Sequence, residues 1–242
     1  MKKLHAFQLA YNEPELCREA IALFERYGGY PPSSKTIIDQ HWPLSSAATR
    51  AERLMAVAQE FGWDYADPGK NLGVAGGYNW LIDHKKPDDG DIIFSIDPDE
   101  RPQTVGYADA MMRVFEADHS AVTVQVNHGI PEYTALPHQV LEIGGVKVNH
   151  YDRVTAWSMG AFSVGWLKRL GGMSQPHKVY GHVETQMYNK FYPLGGRAFI
   201  LPDYKSVHLE GNAIYRQWKD AAARFQTQLD FAGWLMYYCE RQ

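Results

Sequence analysis

The sequence predicts an α/β fold with a mainly parallel central sheet flanked by helices. Short runs of branched and aromatic residues alternate with amphipathic stretches along the first half of the chain, the pattern of strand and helix units that pack into a parallel sheet. The run Ile92-Ile93-Phe94-Ser95-Ile96 reads as a buried strand, because such residues suit an enclosed pleated surface and Asp88-Asp89-Gly90 and Pro98 bracket it. It ends abruptly in Asp97-Pro98-Asp99-Glu100, so carboxylates sit at the strand's carboxyl end. That edge is where open α/β sheets bind ligands.

The elements follow in order. Residues 3–10 read as a first strand, and Asn12-Glu13-Pro14-Glu15 carries turn and helix-start signals before Leu16, Ala20, Leu23 and Phe24. Gly28-Gly29-Tyr30-Pro31-Pro32 breaks that helix. Residues 35–39 form a second strand, a helix runs from Ser45 or Ser46 to about Phe61, and residues 63–66 suggest a third strand. The glycine-rich Asn71-Leu72-Gly73-Val74-Ala75-Gly76-Gly77-Tyr78-Asn79 opens a helix that ends near His84. Beyond the acidic strand come a helix over 104–117, a strand over 121–126, a hairpin around Gly144-Gly145, an extended segment over 157–164 and a helix over 166–170. A long helical pattern over 215–238 closes the chain.

The chain has 242 residues, 45% apolar and 13% aromatic, enough to fill a core. Its 24 Lys and Arg against 28 Asp and Glu give a net charge of −4, so no global basic field points to nucleic acid or an anionic membrane. Cys17 and Cys239 stand far apart, which argues against a disulfide framework or a zinc site of Cys ligands. Leu4-His5-Ala6-Phe7-Gln8-Leu9-Ala10 is too short and polar for a signal sequence, and no run of about 18 apolar residues occurs. A soluble cytoplasmic protein is the expectation.

Asp97 and Asp99, two residues apart, point to one side if extended geometry continues through them. Paired hard oxygen ligands suit Mg²⁺ or Mn²⁺, with substrate phosphates completing the shell. The rival reading is a solvated acidic turn. The glycines at 73, 76 and 77 lack the dinucleotide-binding spacing, and there is no Gly-Lys-Ser/Thr phosphate loop. They serve either close approach to a ligand or tight helix packing.

Taken in succession, Tyr11-Asn12-Glu13-Pro14, Ile37-Ile38-Asp39, the glycine-rich segment and Asp97-Pro98-Asp99 resemble the nucleotide-sugar half of the family 2 glycosyltransferases, which have the GT-A fold. Gly160-Ala161-Phe162-Ser163-Val164 with Leu170-Gly171-Gly172-Met173 resembles the family's acceptor-side segment, and Gly181-His182-Val183-Glu184-Thr185-Gln186 its acidic catalytic motif, here with a single carboxylate. Leu201-Pro202 and Val207-His208 look like the strand and histidine that close its metal site.

The resemblance implies one domain over 1–242, with a nucleotide-sugar half at 1–102, an acceptor and catalytic half at 103–211 and a helical segment at 212–242. It implies transfer of a sugar from a nucleoside-diphosphate donor, UDP foremost, to an acceptor hydroxyl with inversion. Tyr11, Asn12, Glu13, Asp39, Asn71, Gly76, Gly77, Asn79 and Asp97 are then donor-binding residues. Asp99 and His208 hold Mn²⁺ or Mg²⁺, the imidazole favouring Mn²⁺, and Glu184 is the catalytic base.

Each assignment has a structural rival: Asp39 as a cap, His208 as a packed histidine, Glu184 as an acid at a helix N-terminus. Trp157, Trp166, Tyr188 and Trp218 read as core, with one or two as stacking surfaces for a sugar or base. Arg153, Lys168, Arg169, Lys178 and Lys190 read as solvated charge or as a patch for an anionic acceptor. The acceptor itself, whether saccharide, small molecule or modified nucleic-acid base, and the oligomeric state are not legible. Two other functions compete: a nucleotide-sugar or glycan binder without turnover, and a sugar nucleotidyltransferase, which normally carries a basic phosphate loop near the first strand.

Overall fold

Strand β1 (Leu4–Ala10) is buried along its whole length, and its alternation divides the core in two. Leu4, Ala6 and Ala10 join one apolar cluster, while Phe7 and Leu9 join another on the opposite face. The computed structural model describes residues 2–10, 14–40, 47–128, 137–152, 159–174 and 183–209. Strands β2 (Ser34–Asp39), β3 (Asp64–Ala66) and β4 (Ile92–Ser95) line up parallel with β1, and α1 (Pro14–Tyr27), α2 (Ala47–Phe61) and α3 (Gly73–Lys85) make the crossovers.

The second half is mixed. It contains β5 (Glu100–Pro102), α4 (Tyr107–Ala117), β6 (Ala121–Asn127), β7 (Gln139–Ile143), β8 (Val146–Tyr151), β9 (Gly160–Ser163), α5 (Val164–Arg169), α6 (Val183–Phe191) and β10 (Arg197–His208). Among the described residues the strands form one sheet in the order β3-β2-β1-β4-β9-β6-β10-β8-β7, with β5 on β10. β9 lies antiparallel between β4 and β6 and pairs with both, which joins the two halves of the sheet.

Sequence reading located most of these elements. The β7–β8 hairpin turns at Gly144 and Gly145, whose φ of 60° and 72° is the left-handed pair that a two-residue hairpin loop requires. The helix expected from 104 begins at Tyr107, because Gly106 at φ 81° still belongs to the turn. The expected 166–170 helix begins at Val164, with the Ser163 hydroxyl accepting from the Trp166 N–H. The extended segment reduces to β9, and Trp157 and the 215–238 helix lie outside the described residues.

β10 carries the longest reach. Its first part pairs with β6 and β8, and its register shifts between Leu201 and Lys205, a stretch that contains Pro202. A proline has no N–H for the ladder and fits such an irregularity. Beyond it, Ser206–His208 pair with β5, so the strand bends away from the main sheet and takes His208 to the acidic turn.

The amino edge of the sheet is pinned by Asp91. Its carboxylate accepts from the backbone N–H of Lys3 at 3.1 Å and of Asp88 at 3.0 Å, and lies 3.1 Å from Nε2 of His5, whose Nδ1 meets the Ser34 hydroxyl at 2.8 Å. Burial pushes the Asp91 pKa up, but the hydrogen bonds from His5 and the two amides outweigh it and hold it below its ordinary value. A carboxylate depressed in the folded state stabilises fully above its unfolded pKa of about 3.9 and loses that contribution as pH falls through the lower folded value. Scanning calorimetry from pH 6 to pH 3 should therefore show a shallower acid-side fall in Tm for Asp91→Asn than for the unmodified chain.

Candidate functional site

The acids after β4 do not continue the extended geometry. The Glu100 N–H donates to the Asp97 carbonyl at 3.2 Å, closing a β-turn over Asp97-Pro98-Asp99-Glu100 with proline at the second position, where its fixed φ belongs. The expected alternation is thus replaced by a turn, and the two carboxylates are placed by different partners. Asp97 Oδ1 lies 3.5 Å from the Ser95 hydroxyl, and its Oδ2 accepts from the Met159 N–H at 3.4 Å. Met159 is buried with φ 43°, a left-handed conformation that a non-glycine residue adopts only when its surroundings impose it.

Asp99 is fixed on the other side of the turn. Its backbone carbonyl accepts from Leu209 at 2.6 Å, and its carboxylate lies 3.2 Å from Nε2 of His208. The carboxylate is nearly enclosed while the imidazole is about one-third exposed. The bent second part of β10 therefore brings His208 to Asp99.

Glu184 stands in the first turn of α6, and its charge acts on Tyr78. Tyr78, on α3, is buried and packed edge-on against Phe7 and Phe162, with centroids 4.8 and 5.2 Å away. Burial first, then the charges of Asp97 and Glu184, push its phenol far above the usual tyrosine range, against a hydrogen bond with Ser95 that acts the other way. Asp97 and Glu184 thus act on one phenol from two different elements. Sequence reasoning missed Tyr78, whose only signal was a phenol in phase with the apolar positions of the glycine-rich helix.

The glycine-rich segment divides between two roles. Asn71 Oδ1 accepts from the Gly73 N–H at 2.8 Å and shapes the start of α3. A Cβ on Gly77 would stand 2.3 Å from Leu9 Cδ2, so a side chain there would force Leu9 to shift where α3 packs on β1. A Cβ on Gly76 would meet the Leu72 Cβ at 3.1 Å. Asn79 is used as a clamp, donating to the Met173 carbonyl at 2.9 Å and accepting from the Met173 N–H at 2.8 Å.

Asp39, at the carboxyl end of β2, is a buried ion-pair member. Arg50 Nε donates to its Oδ1 at 3.0 Å, and the Tyr65 hydroxyl to its Oδ2 at 3.1 Å, while Arg50 Nη2 also reaches the Ala10 carbonyl. Burial, then the Asp39 carboxylate, raises the Tyr65 pKa well above its ordinary value. Arg50 also escaped sequence reading, although it precedes Leu54, Val57 and Ala58 in phase on α2, an arginine heading a buried apolar stripe.

The remaining candidates separate cleanly. Tyr11, Asn12 and Glu13 lie outside the described residues, as do Trp218, Arg153 and Lys178. Trp166 donates to the His119 carbonyl at 3.0 Å and packs beside the second core cluster. Lys168 is held by Asp89 and the Pro87 carbonyl, Arg169 lies over Trp166, and Lys190 reaches Ser174 and Leu170. These three cations are spent on local contacts, which favours the bland reading of that patch.

Asp99 and His208 offer one carboxylate and one imidazole, a donor set that suits Mn²⁺ better than Mg²⁺. Among the described residues no group of three or more His, Cys, Asp and Glu converges on one point. Those two residues could supply the protein side of a divalent-ion site whose other ligands would come from a bound phosphate.

No family model matches the chain, and no curated protein does. Solved structures do. A mannosyltransferase from Pyrobaculum calidifontis, PcManGT in complex with GDP-Man and Mn²⁺, superposes with a TM-score of 0.65 at 18% identity, covering 89% of this chain and 59% of that one. GalNAc-T7 with UDP, GalNAc and Mn²⁺ gives 0.64 at 11% identity over 87% of this chain and 44% of that one. S. aureus TarS 1-349 with UDP gives 0.57 at 13% identity, covering 84% and 60%. The chain has the GT-A fold and spans between 44% and 60% of these neighbours' lengths. Among the described residues no helix is long and apolar enough to cross a membrane.

Proposed function

We propose that the chain is a metal-dependent glycosyltransferase of the family 2 type, moving a sugar from a nucleoside-diphosphate donor, UDP foremost, to an acceptor hydroxyl with inversion. The observation that carries this reading is the β-turn at Asp97-Pro98-Asp99-Glu100, which sets Asp97 beside the phenol that Glu184 also influences and Asp99 against His208. The neighbours' donors and Mn²⁺ support the same class of chemistry.

In this reading Asp39, oriented by Arg50 and Tyr65, accepts a hydrogen bond from the base or ribose, and Asp97 holds the ribose side of the donor. Tyr11, Asn12, Glu13, Asn71, Gly76, Gly77 and Asn79 shape or line that donor site. Asp99 and His208 would hold a divalent ion, which when bound would supply Lewis-acid stabilisation to the diphosphate. Glu184 removes the acceptor proton as the acceptor oxygen bonds to the anomeric carbon. The bond from that carbon to phosphate oxygen breaks, and its electron pair leaves on the diphosphate. A base on the acceptor side with direct displacement gives inversion, and such a base is worth typically ~10²–10⁴ in rate.

Thermal shift with a panel of nucleoside diphosphates and their sugars tests the donor site, since a ligand held at 100 times its Kd stabilises the folded state by about 2.7 kcal/mol. One nucleotide should raise Tm in the presence of Mn²⁺, and Asp99→Asn should lose that dependence. No shift with any nucleotide overturns the donor assignment. Release of nucleoside diphosphate from the donor without acceptor then separates a transferase from a binder that lacks turnover.

A further inference from the structure

Strand β8 joins β10 through a short seam, in which Tyr151 faces Ala198, His150 faces Phe199 and Asn149 faces Ile200. His150 is the middle residue. On its other side stands Gln139 of β7, and the His138 N–H donates to the His150 carbonyl at 2.9 Å. His150 is only 9% exposed, and among the described residues neither of its ring nitrogens has a hydrogen-bond partner.

Aromatic and cationic groups lie around that ring. Its centroid is 5.7 Å from that of Phe199 and 5.9 Å from that of His138, and Arg197 Cζ sits 4.8 Å from the Phe199 centroid. The two carboxylates whose charge reaches His150 already have cations. Asp152, just after β8, lies 3.3 Å from His138 Nδ1, and Asp118, just after α4, accepts from Arg197 Nη1 at 3.1 Å. Burial first, then Arg197 and His138, hold the His150 pKa below its ordinary value, and the opposing charges of Asp152 and Asp118 do not offset them.

An imidazole buried without hydrogen bonds is tolerated while it is neutral. A second proton makes both nitrogens donors and adds a charge that nothing solvates, and exposure to water relieves that cost. The seam beside the ring is three residue pairs long. Nearer the hairpin tip, Val146 and Val148 are buried in the first core cluster and anchor the rest of β8. Opening is therefore confined to the end of the strand that carries His150.

We propose that the β8–β10 seam is an acid-sensitive latch: a proton taken up by His150 parts Asn149–Tyr151 from β10, while β10 keeps β6 on its other side. Neither Glu184 nor the donor site enters into it. Because the folded state disfavours the proton, the seam is fully stable above the unfolded histidine value of about 6.5 and weakens as pH falls from there toward the lower folded value. The change is at most about tenfold in the opening equilibrium per pH unit, the slope of one proton.

NMR-detected hydrogen exchange of the full chain at pH 7.5 and pH 5, corrected for the intrinsic rate at each pH, tests the latch. Protection of the Asn149 and Tyr151 amides should fall about fivefold or more relative to those of β6. His150→Phe, an aromatic ring that does not titrate, should abolish the difference. The ring protons of His150 in the unmodified chain give a check that needs no variant, and they should titrate below about 6.5. A ring that titrates at or above that value, a seam equally protected at both pH values, or a fall that persists in His150→Phe overturns the latch.

Discussion

Glu184→Gln is expected to lower kcat by ~10²–10⁴ while leaving the donor Kd within about twofold, because the amide keeps the shape of the side chain and removes only its capacity to take a proton. The two roles open to this residue differ in what they predict. As an acid in the first turn of α6, Glu184 stabilises the positive end of a helix, and its loss would cost about 0.3–1 kcal/mol of folding stability with kcat untouched. As a base it acts on the reaction and scarcely on the fold. Measuring kcat and Tm on one variant therefore decides between them. A Tm loss with full turnover returns Glu184 to the helix-end role and removes the base from the mechanism.

If Glu184 is the base, the effect falls on the chemical step. Tyr78 is buried, and the charges of both Asp97 and Glu184 raise its pKa. Water-poor surroundings strengthen such interactions relative to bulk solvent. Released nucleoside diphosphate, followed in single turnover, is the readout closest to the step itself.

Legibility in the sequence followed locality. The parallel half was readable because each strand and helix carries its own period and punctuation, as in residues 35–39 and the Gly144-Gly145 turn. The meeting of Asp99 and His208 came from the resemblance alone, since Pro202 marks an irregularity in β10 but not where the strand then leads. Arg50 and Tyr78 were missed for a related reason. Each sits in phase with an apolar stripe, and whether its polar end finds a partner is decided by residues 11 and 17 positions away, Asp39 and Ser95. Gly77 shows the converse: its nearest neighbour is Leu9 on β1, a packing contact that the spacing of the glycines does not encode.

Arg50→Met is expected to destabilise the fold by about 3–5 kcal/mol, because it strands the Asp39 carboxylate in the interior without its cation. The Arg50 and Asp39 side chains are only 1% and 5% exposed, so water cannot replace the lost partner. For a chain of this size each kcal/mol moves Tm by about 2–4 °C, which places the melting transition roughly 6–20 °C lower. Arg50→Lys should recover part of the loss, since an ammonium restores charge but not the fork that reaches both Asp39 and the Ala10 carbonyl. The double variant Asp39→Leu with Arg50→Met should regain most of the stability, because exchanging a buried pair for apolar groups is often nearly neutral. That stable double variant then isolates the function of Asp39. If Asp39 contacts the donor, nucleotide-induced stabilisation disappears in a chain that still melts near the original temperature. If nucleotide affinity survives, the pair serves only to tie β2, α2 and the end of β1 together, and base recognition lies elsewhere.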